Sequence, residues 1–307
     1  MQTAELLTRP SVPAMDALLG YAHPVLGHGF VRLIDYMGDE PAVLQAARVS
    51  YGKGTKQSSE DRGLLRYLMR NRHTTPLEMA EIKLHCKLPV FVARQWIRHR
   101  TANVNEYSAR YSILEREFYV PKLEDIQQQS TENKQGRAEA GLTEKDRLYV
   151  QQQMQLAGDR DFDLYETLIH DGDPTDDPGL NVARELARIN LPMSTYTEWY
   201  WKVDLHNLLH FLSLRADPHA QKEIRDYANT ILKIVRQWVP NVYDAFVDYR
   251  LDARTFSGQE MAILRRALAG NPGAMVQIER SLGQSAELSK REINAFISNL
   301  RGALTDV

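Results

Sequence analysis

Between Glu81 and Leu88 the chain alternates cleanly. Ile82, Leu84, Cys86 and Leu88 fall on one side, with Lys83, His85 and Lys87 on the other, the period of a strand with one buried face. Residues 195–203 (TYTEWYWKV) form a second, aromatic strand, and Phe30 begins a third that ends near Gly38 and Asp39. Helical spacing occupies Pro41 to Ser50, with Val43, Leu44, Ala46 and Ala47 on one face, and Ser58 to Arg70, with Leu64, Leu65, Leu68 and Met69. Pro89 suits the first turn of a helix through VFVARQWIRH. A long helix runs from Thr143 to Ile169, carrying Leu148, Val150, Met154, Leu164 and Leu168. Further helices cover Asn181 to Ile189 and Asp204 to Leu214, and Asp217-Pro218 caps one with Ile224, Tyr227, Ile231, Leu232 and Val235.

Past residue 250 the pattern becomes three short helices with capping boxes at Ser257-x-x-Glu260 and Ser289-x-x-Glu292, and with Ile293, Phe296, Ile297 and Leu300 on one face. Residues 1–27, rich in Pro and Gly, read as an arm, TANVNEYSARY after Arg100 as a functional loop, and residues 122–142 as a polar surface loop. The acidic DGDPTDDPG at 171–179 lacks EF-hand spacing and reads as a solvated turn. The expected fold is α+β: a mixed sheet flanked by helices, helix-rich, with a C-terminal helical appendage. Its divisions are an arm at 1–27, a main domain at 28–250 and an extension at 251–307.

Composition narrows the function. The chain has 307 residues, 43% hydrophobic and 25% charged, with 38 Lys+Arg against 40 Asp+Glu and a net charge of −2. It is long enough for a full core, and its charge balance argues against a nucleic-acid partner. No run of apolar residues reaches membrane-spanning length and no secretory signal is visible, so a cytoplasmic protein without a membrane partner is expected. The single cysteine, Cys86, excludes an internal disulfide or CxxC zinc site.

Positive charge is nevertheless concentrated locally. From Pro89 to Tyr111, Arg94, Arg98, Arg100 and Arg110 face one acid, Glu106. Gln95 and Arg98 share a helix face, and Arg98-His99-Arg100 lie where that helix frays, so their donors can converge on an anion, with Ser108 nearby. Arginine at a helix C-terminus also complements the helix dipole, which accounts for Arg98 and Arg100 taken alone. It does not account for Asn105, Glu106, Ser108 and Arg110 in the following turn. A metal site on His206 and His210, four residues apart beside Asp204, is the rival reading. HNLLH lacks the glutamate of HExxH and a clear third ligand, so no metal is expected.

The run of Arg98-His99-Arg100, seven residues and Ser108 resembles the signature of the flavin-dependent thymidylate synthases. Gly29-Phe30-Val31, Ala47-Arg48-Val49-Ser50, His73-Thr74-Thr75-Pro76, Phe91 to Trp96, Arg188 to Pro192 and Leu214 to Asp217 fit the same family, over residues 28–250. The resemblance implies reductive methylation of dUMP to dTMP in de novo dTMP synthesis. The carbon donor would be 5,10-methylenetetrahydrofolate, and FAD, reduced by NADPH, would carry the hydride. It implies a homotetramer with active sites shared between subunits, to which Arg110 and Arg188 of one subunit could contribute for a neighbour.

Residue by residue, the resemblance assigns FAD to Thr75, Arg98, His99, Arg100 and Glu106, and to a second strip of Asp204, Leu205, His206 and His210. That strip departs from family members that carry Asn and Arg there. For dUMP it implies Gln95, Trp96, Ile97 and Arg98, then Glu106, Tyr107, Ser108, Ala109 and Arg110, and finally Arg188 and Arg215. Arg215 is the position held to act on the pyrimidine, where a fixed cation stabilises charge developing on the ring. Ser108 reads as a hydrogen-bond donor to nucleotide, with a covalent role requiring a base within reach. His73 either touches folate or shapes its pocket. Cys86, alternating with buried positions, reads as a structural thiol and not as the thiolate of cysteine-dependent thymidylate synthases.

Overall fold

The computed structural model describes residues 9–49, 58–131, 136–138, 141–169, 180–285 and 288–301. Five strands form one sheet in the order β1-β2-β3-β5-β4: Ala22–Val25 (β1), Gly29–Met37 (β2), Glu81–Pro89 (β3), Asn103–Glu106 (β4) and Tyr196–Asp204 (β5). The class is α+β, as expected, but the sheet is not mixed, since every ladder is antiparallel. β3 lies at its centre, with Cys86 opposite Val31 on one side and opposite Trp199 on the other.

One face of the sheet is sealed. Val31, Leu33, Ile82, Leu84, Cys86, Leu88, Trp199, Trp201 and Val203 are buried. They lie in one core with residues of the helices Val90–Trp96 (α4), Leu205–Arg215 (α7) and Lys222–Trp238 (α8). The opposite face is polar: the His85 ring stacks on Tyr200 at 4.9 Å and shares a 2.8 Å hydrogen bond with Glu198. Antiparallel sheets tolerate one solvated face, and the strict alternation of β3 expresses this.

Two segments read as irregular are strands. The proline-rich arm contains a short helix, Pro13–Asp16 (α1), that buries Met15, and then β1, which forms an edge of the sheet. An edge strand is where Pro24 can sit without losing a ladder bond. The loop after Arg100 contains β4, paired along Trp199 to Lys202. The helices Glu40–Val49 (α2) and Ser58–Arg70 (α3) agree with the periodicity.

The long helix Glu144–Leu168 (α5) is present with a Thr143 capping box, but its buried face is Gly158, Phe162 and Tyr165. Leu148 and Leu164, expected inward, are 39% and 42% exposed. Gly158 meets the Phe118 ring so closely that a Cβ there would collide with it. Asn181 to Ile189 shortens to Arg184–Ala187 (α6) followed by a 3-10 turn. Gln221 precedes α8 directly, leaving Asp217-Pro218 outside its cap. The acidic segment at 171–179 lies outside the described residues. Among the described residues no helix is both long and apolar enough to cross a membrane.

After Pro240–Phe246 (α9) and a π-helical turn at Val247–Leu251 come Gly258–Ala269 (α10), Pro272–Gly283 (α11) and Lys290–Arg301 (α12). The appendage is tied to the main domain by charge. Buried Arg66 on α3 donates from Nε to Glu292 at 2.7 Å and also pairs with Asp248. Burial opposes the Glu292 charge, but hydrogen bonds from Tyr249, Ser289 and Arg66 outweigh it and bring the carboxyl down to about 2.

A depressed carboxylate contributes its stability above its unfolded pKa and loses it as pH falls through the folded one. Glu292 therefore stabilises the docked appendage at neutral pH and loses that contribution between roughly pH 4.3 and 2. Glu292→Gln should lower stability by about 1–3 kcal/mol at pH 7, with the deficit shrinking toward pH 2 in urea unfolding. An equal deficit at both pH values would refute the pairing as its cause.

Candidate active site

Trp96 fixes the site from beneath. Its ring is fully buried, stacks on Phe211 of α7 at 4.7 Å and meets Trp199 and Trp201 of β5 edge-on. Such contacts pin the C-terminal end of α4 against α7. The chain leaves the helix immediately, with the His99 amide donating to the Trp96 carbonyl at 3.0 Å, so Arg98-His99-Arg100 form a turn. Trp96 thus has no side-chain surface for a substrate, whereas Ile97 is exposed. The turn and α7 enclose a cationic cavity of ≈ 290 Å³, bounded by Arg98, His99, Arg100, Asn207, His210 and Arg215.

Within it Arg215 Nε donates to His99 Nε2 at 3.0 Å, bridging 116 residues of sequence. An imidazole that accepts at Nε2 is neutral and carries its proton on Nδ1. Burial, then the charges of Arg215 and His210, pull the His99 pKa down to about 4. Burial also lowers the Arg215 pKa. Arg98, Arg100 and Arg215 have no carboxylate within salt-bridge distance among the described residues. The cavity therefore presents uncompensated guanidinium donors beside a neutral imidazole, an arrangement suited to oxyanions.

A second cavity of ≈ 300 Å³ adjoins at His210 and holds His73 and His206 against Leu68, Leu77, Leu209 and Phe246. Thr74 lines it, whereas Thr75 is exposed at the start of a 3-10 turn. Two members of the expected flavin strip have other employment. Asp204 caps α7, accepting from the Asn207 amide at 2.9 Å and from Asn207 Nδ2 at 2.7 Å, and the Leu205 side chain is buried in the core.

The remaining candidates gather elsewhere. Glu106, Tyr107, Ser108, Ala109 and Arg188 line a cavity of ≈ 440 Å³ with Thr195 and Thr197. Glu106 accepts from Thr197 Oγ1 at 2.8 Å, and Arg110 pairs outside with Glu185 at 3.0 Å. Gln95 donates to Gln221 and lines none of the three cavities. This cavity reaches β5 at Thr197 and the cationic one at Trp201, about 13 Å apart at roughly 3.3 Å per residue. Ser108 Oγ has one hydrogen bond among the described residues, from the Arg110 amide at 3.4 Å, and so lacks a base.

Three contributors were absent from the sequence expectations: Asn207 in the cationic cavity, and Arg72 and Arg250 in its neighbour. The i,i+3 spacing of Asn207 and His210 on a helix was a usable signal for the first; none existed for the arginines. Cys86 is wholly buried, and burial pushes its thiol far above the ordinary range. A thiol so placed is inert as a nucleophile.

Comparison with known proteins identifies the family. Residues 32–241 match the family described as "Thymidylate synthase complementing protein". A flavin-dependent thymidylate synthase of Gluconobacter oxydans (strain 621H) is 53% identical over 299 residues, 97% of this chain and 94% of that protein. One from Ruegeria pomeroyi is 57% identical over 285 residues, covering 92% and 89%. In structure, a UMP/dUMP methylase from Streptomyces cacaoi bound with 5-Br UMP aligns with a TM-score of 0.63 and 32% identity, over 73% of this chain and 95% of that one. The protein is a methyltransferase enzyme. The chain belongs to the flavin-dependent thymidylate synthase family.

Because the His99 pKa is lowered on folding, the unfolded chain binds more protons between about pH 6.5 and 4, and the site destabilises the fold as pH falls through that window. In Arg215→Met the His99 imidazole should titrate closer to 6.5 by NMR. An unchanged titration would separate the two residues electrostatically.

Proposed function

We propose that the protein converts dUMP to dTMP in the cytoplasm, as a homotetramer with active sites shared between subunits. The overall change is dUMP + 5,10-methylenetetrahydrofolate + NADPH + H⁺ → dTMP + tetrahydrofolate + NADP⁺. The observation that carries this reading is the half-buried Arg215 guanidinium. It is held by neutral His99, without a carboxylate partner among the described residues, in a cavity lined by two further arginines.

The donor set suits FAD, since exposed Arg98 and Arg100 offer forks to a pyrophosphate. The flavin, when bound, supplies the hydride. The protein's own part is electrostatic and positional. His99, kept neutral, orients Arg215 without cancelling its charge, and Arg215 stabilises negative charge developing on the uracil ring. Glu106, Ser108, Arg110 and Arg188 bind and orient the nucleotide, with Ser108 donating its hydroxyl. The separation of their cavity from the Arg215 cavity within one chain supports a site completed by a second subunit. Gln95 and Ile97 border the arginine turn, and the backbone of Trp96 supports it. His73 shapes the pocket on the folate side.

Purified protein should show flavin absorbance that dUMP perturbs, and should form dTMP only with NADPH and methylenetetrahydrofolate present. Failure to form dTMP under those conditions would defeat the reading. Arg215→Ala should lower kcat by roughly a hundredfold or more, as loss of a charge-stabilising donor does, with flavin content close to wild type. Cys86→Ala should retain dTMP formation. Its loss in a folded, flavin-loaded variant would point to thiolate chemistry.

A further inference from the structure

The apolar cavity beside His210 has two cationic residues that the reaction above does not use, Arg72 and Arg250. They approach from different elements. Arg72 follows α3, and Arg250 lies on the π-helical turn at Val247–Leu251, beyond the segment that matches the family. Burial and then the Arg72 charge lower the Arg250 pKa. Arg250 donates from Nη2 to the Met69 carbonyl at 3.0 Å. Neither arginine has a carboxylate within salt-bridge distance among the described residues. Two neighbouring guanidinium groups without a counter-ion repel one another unless an anion joins them.

The backbone at Arg72 sharpens the point. The His73 amide donates to the Leu68 carbonyl at 2.9 Å and the Arg72 amide to the Met69 carbonyl at 3.4 Å, the paired bonds of a Schellman ending. Arg72 therefore occupies the position where glycine is favoured, at φ 58°. An L-residue is strained there, so the sequence retains an arginine against local preference. The same ending aims the next residue, His73, into the cavity that Arg72 borders.

We propose that Arg72 and Arg250 form an oxyanion subsite for the charged end of a co-substrate whose planar part lies in the apolar cavity against Leu77, Leu209 and Phe246. This assignment rests on the proposed reaction, which brings two such ligands: a folate with glutamate carboxylates and a dinucleotide with a 2′-phosphate. The shared chemistry is a carboxylate or phosphate oxygen pair facing two guanidinium forks.

Direct titration of the flavin-loaded protein separates the sources without requiring turnover. The probes are NADP⁺ against NAD⁺, and folic acid against its triglutamate. Wild type should bind the more anionic member of one pair more tightly. Arg72→Gln and Arg250→Gln should each erase that preference, weakening the anionic ligand roughly tenfold while leaving its less charged counterpart unchanged. Arg72→Lys should keep part of the preference. Arg72→Gly should lose it yet raise Tm by about 2 °C, because glycine relieves the backbone.

The proposal is overturned if wild type shows no preference in either pair, or if the glutamine variants bind all four ligands as wild type does. It is also overturned if flavin content falls with the substitution, which would assign the arginines to the flavin, or if Arg72→Gly loses stability. A wild type that titrates as expected but forms no dTMP would instead defeat the reaction and leave the subsite standing.

Discussion

The packing of Trp96 into Phe211, Trp199, Trp201 and Tyr227 is the contact on which the site depends. Those rings belong to α4, α7, β5 and α8, so one buried cluster fixes four elements at once. The arginines of the cationic cavity then stand at the ends of elements that the cluster holds. The arginine turn leaves α4 one residue beyond Trp96, and Arg215 ends the helix that carries Phe211. Aromatic rings suit this task because they fill volume with few rotatable bonds, which keeps polar groups above them in register.

A second constraint is electrostatic. The net charge of −2 is an average over a chain that pairs some cations closely, as it does Lys87 with three glutamates, and leaves the arginines of the cationic cavity without a carboxylate among the described residues. His99 serves that imbalance. A protonated imidazole beside Arg215 would add repulsion, and a carboxylate would quench the guanidinium, whereas a neutral ring accepts a hydrogen bond and leaves the charge directed outward.

Much of this was legible in the sequence where a single period sufficed. β3 announced its buried face by strict alternation, and α2 and α3 their extent by helical spacing. The misreadings share a cause: elements whose form is decided by a distant partner. β1 and β4 are short edge strands of weak composition that exist because β2 and β5 offer free hydrogen-bonding edges. α5 buries only a narrow stripe around Gly158, so its leucines gave the wrong face. The Arg98 to Arg100 run was readable because its residues are contiguous. The bond from Arg215 to His99 and the approach of Arg250 to Arg72 were not, since the chain states neither until folded.

The central strand also bears on how the molecule can be observed. Its only thiol, Cys86, sits at the middle of the sheet with no exposed surface. Local fraying of edge strands or of the appendage leaves it covered; only parting of β2, β3 and β5 would admit a reagent. Alkylation of this one sulfur would therefore clock whole-domain opening, silent toward the smaller motions of the rim. The same seal spares the enzyme from thiol oxidants while it remains folded, so oxidation at Cys86 would record a history of unfolding.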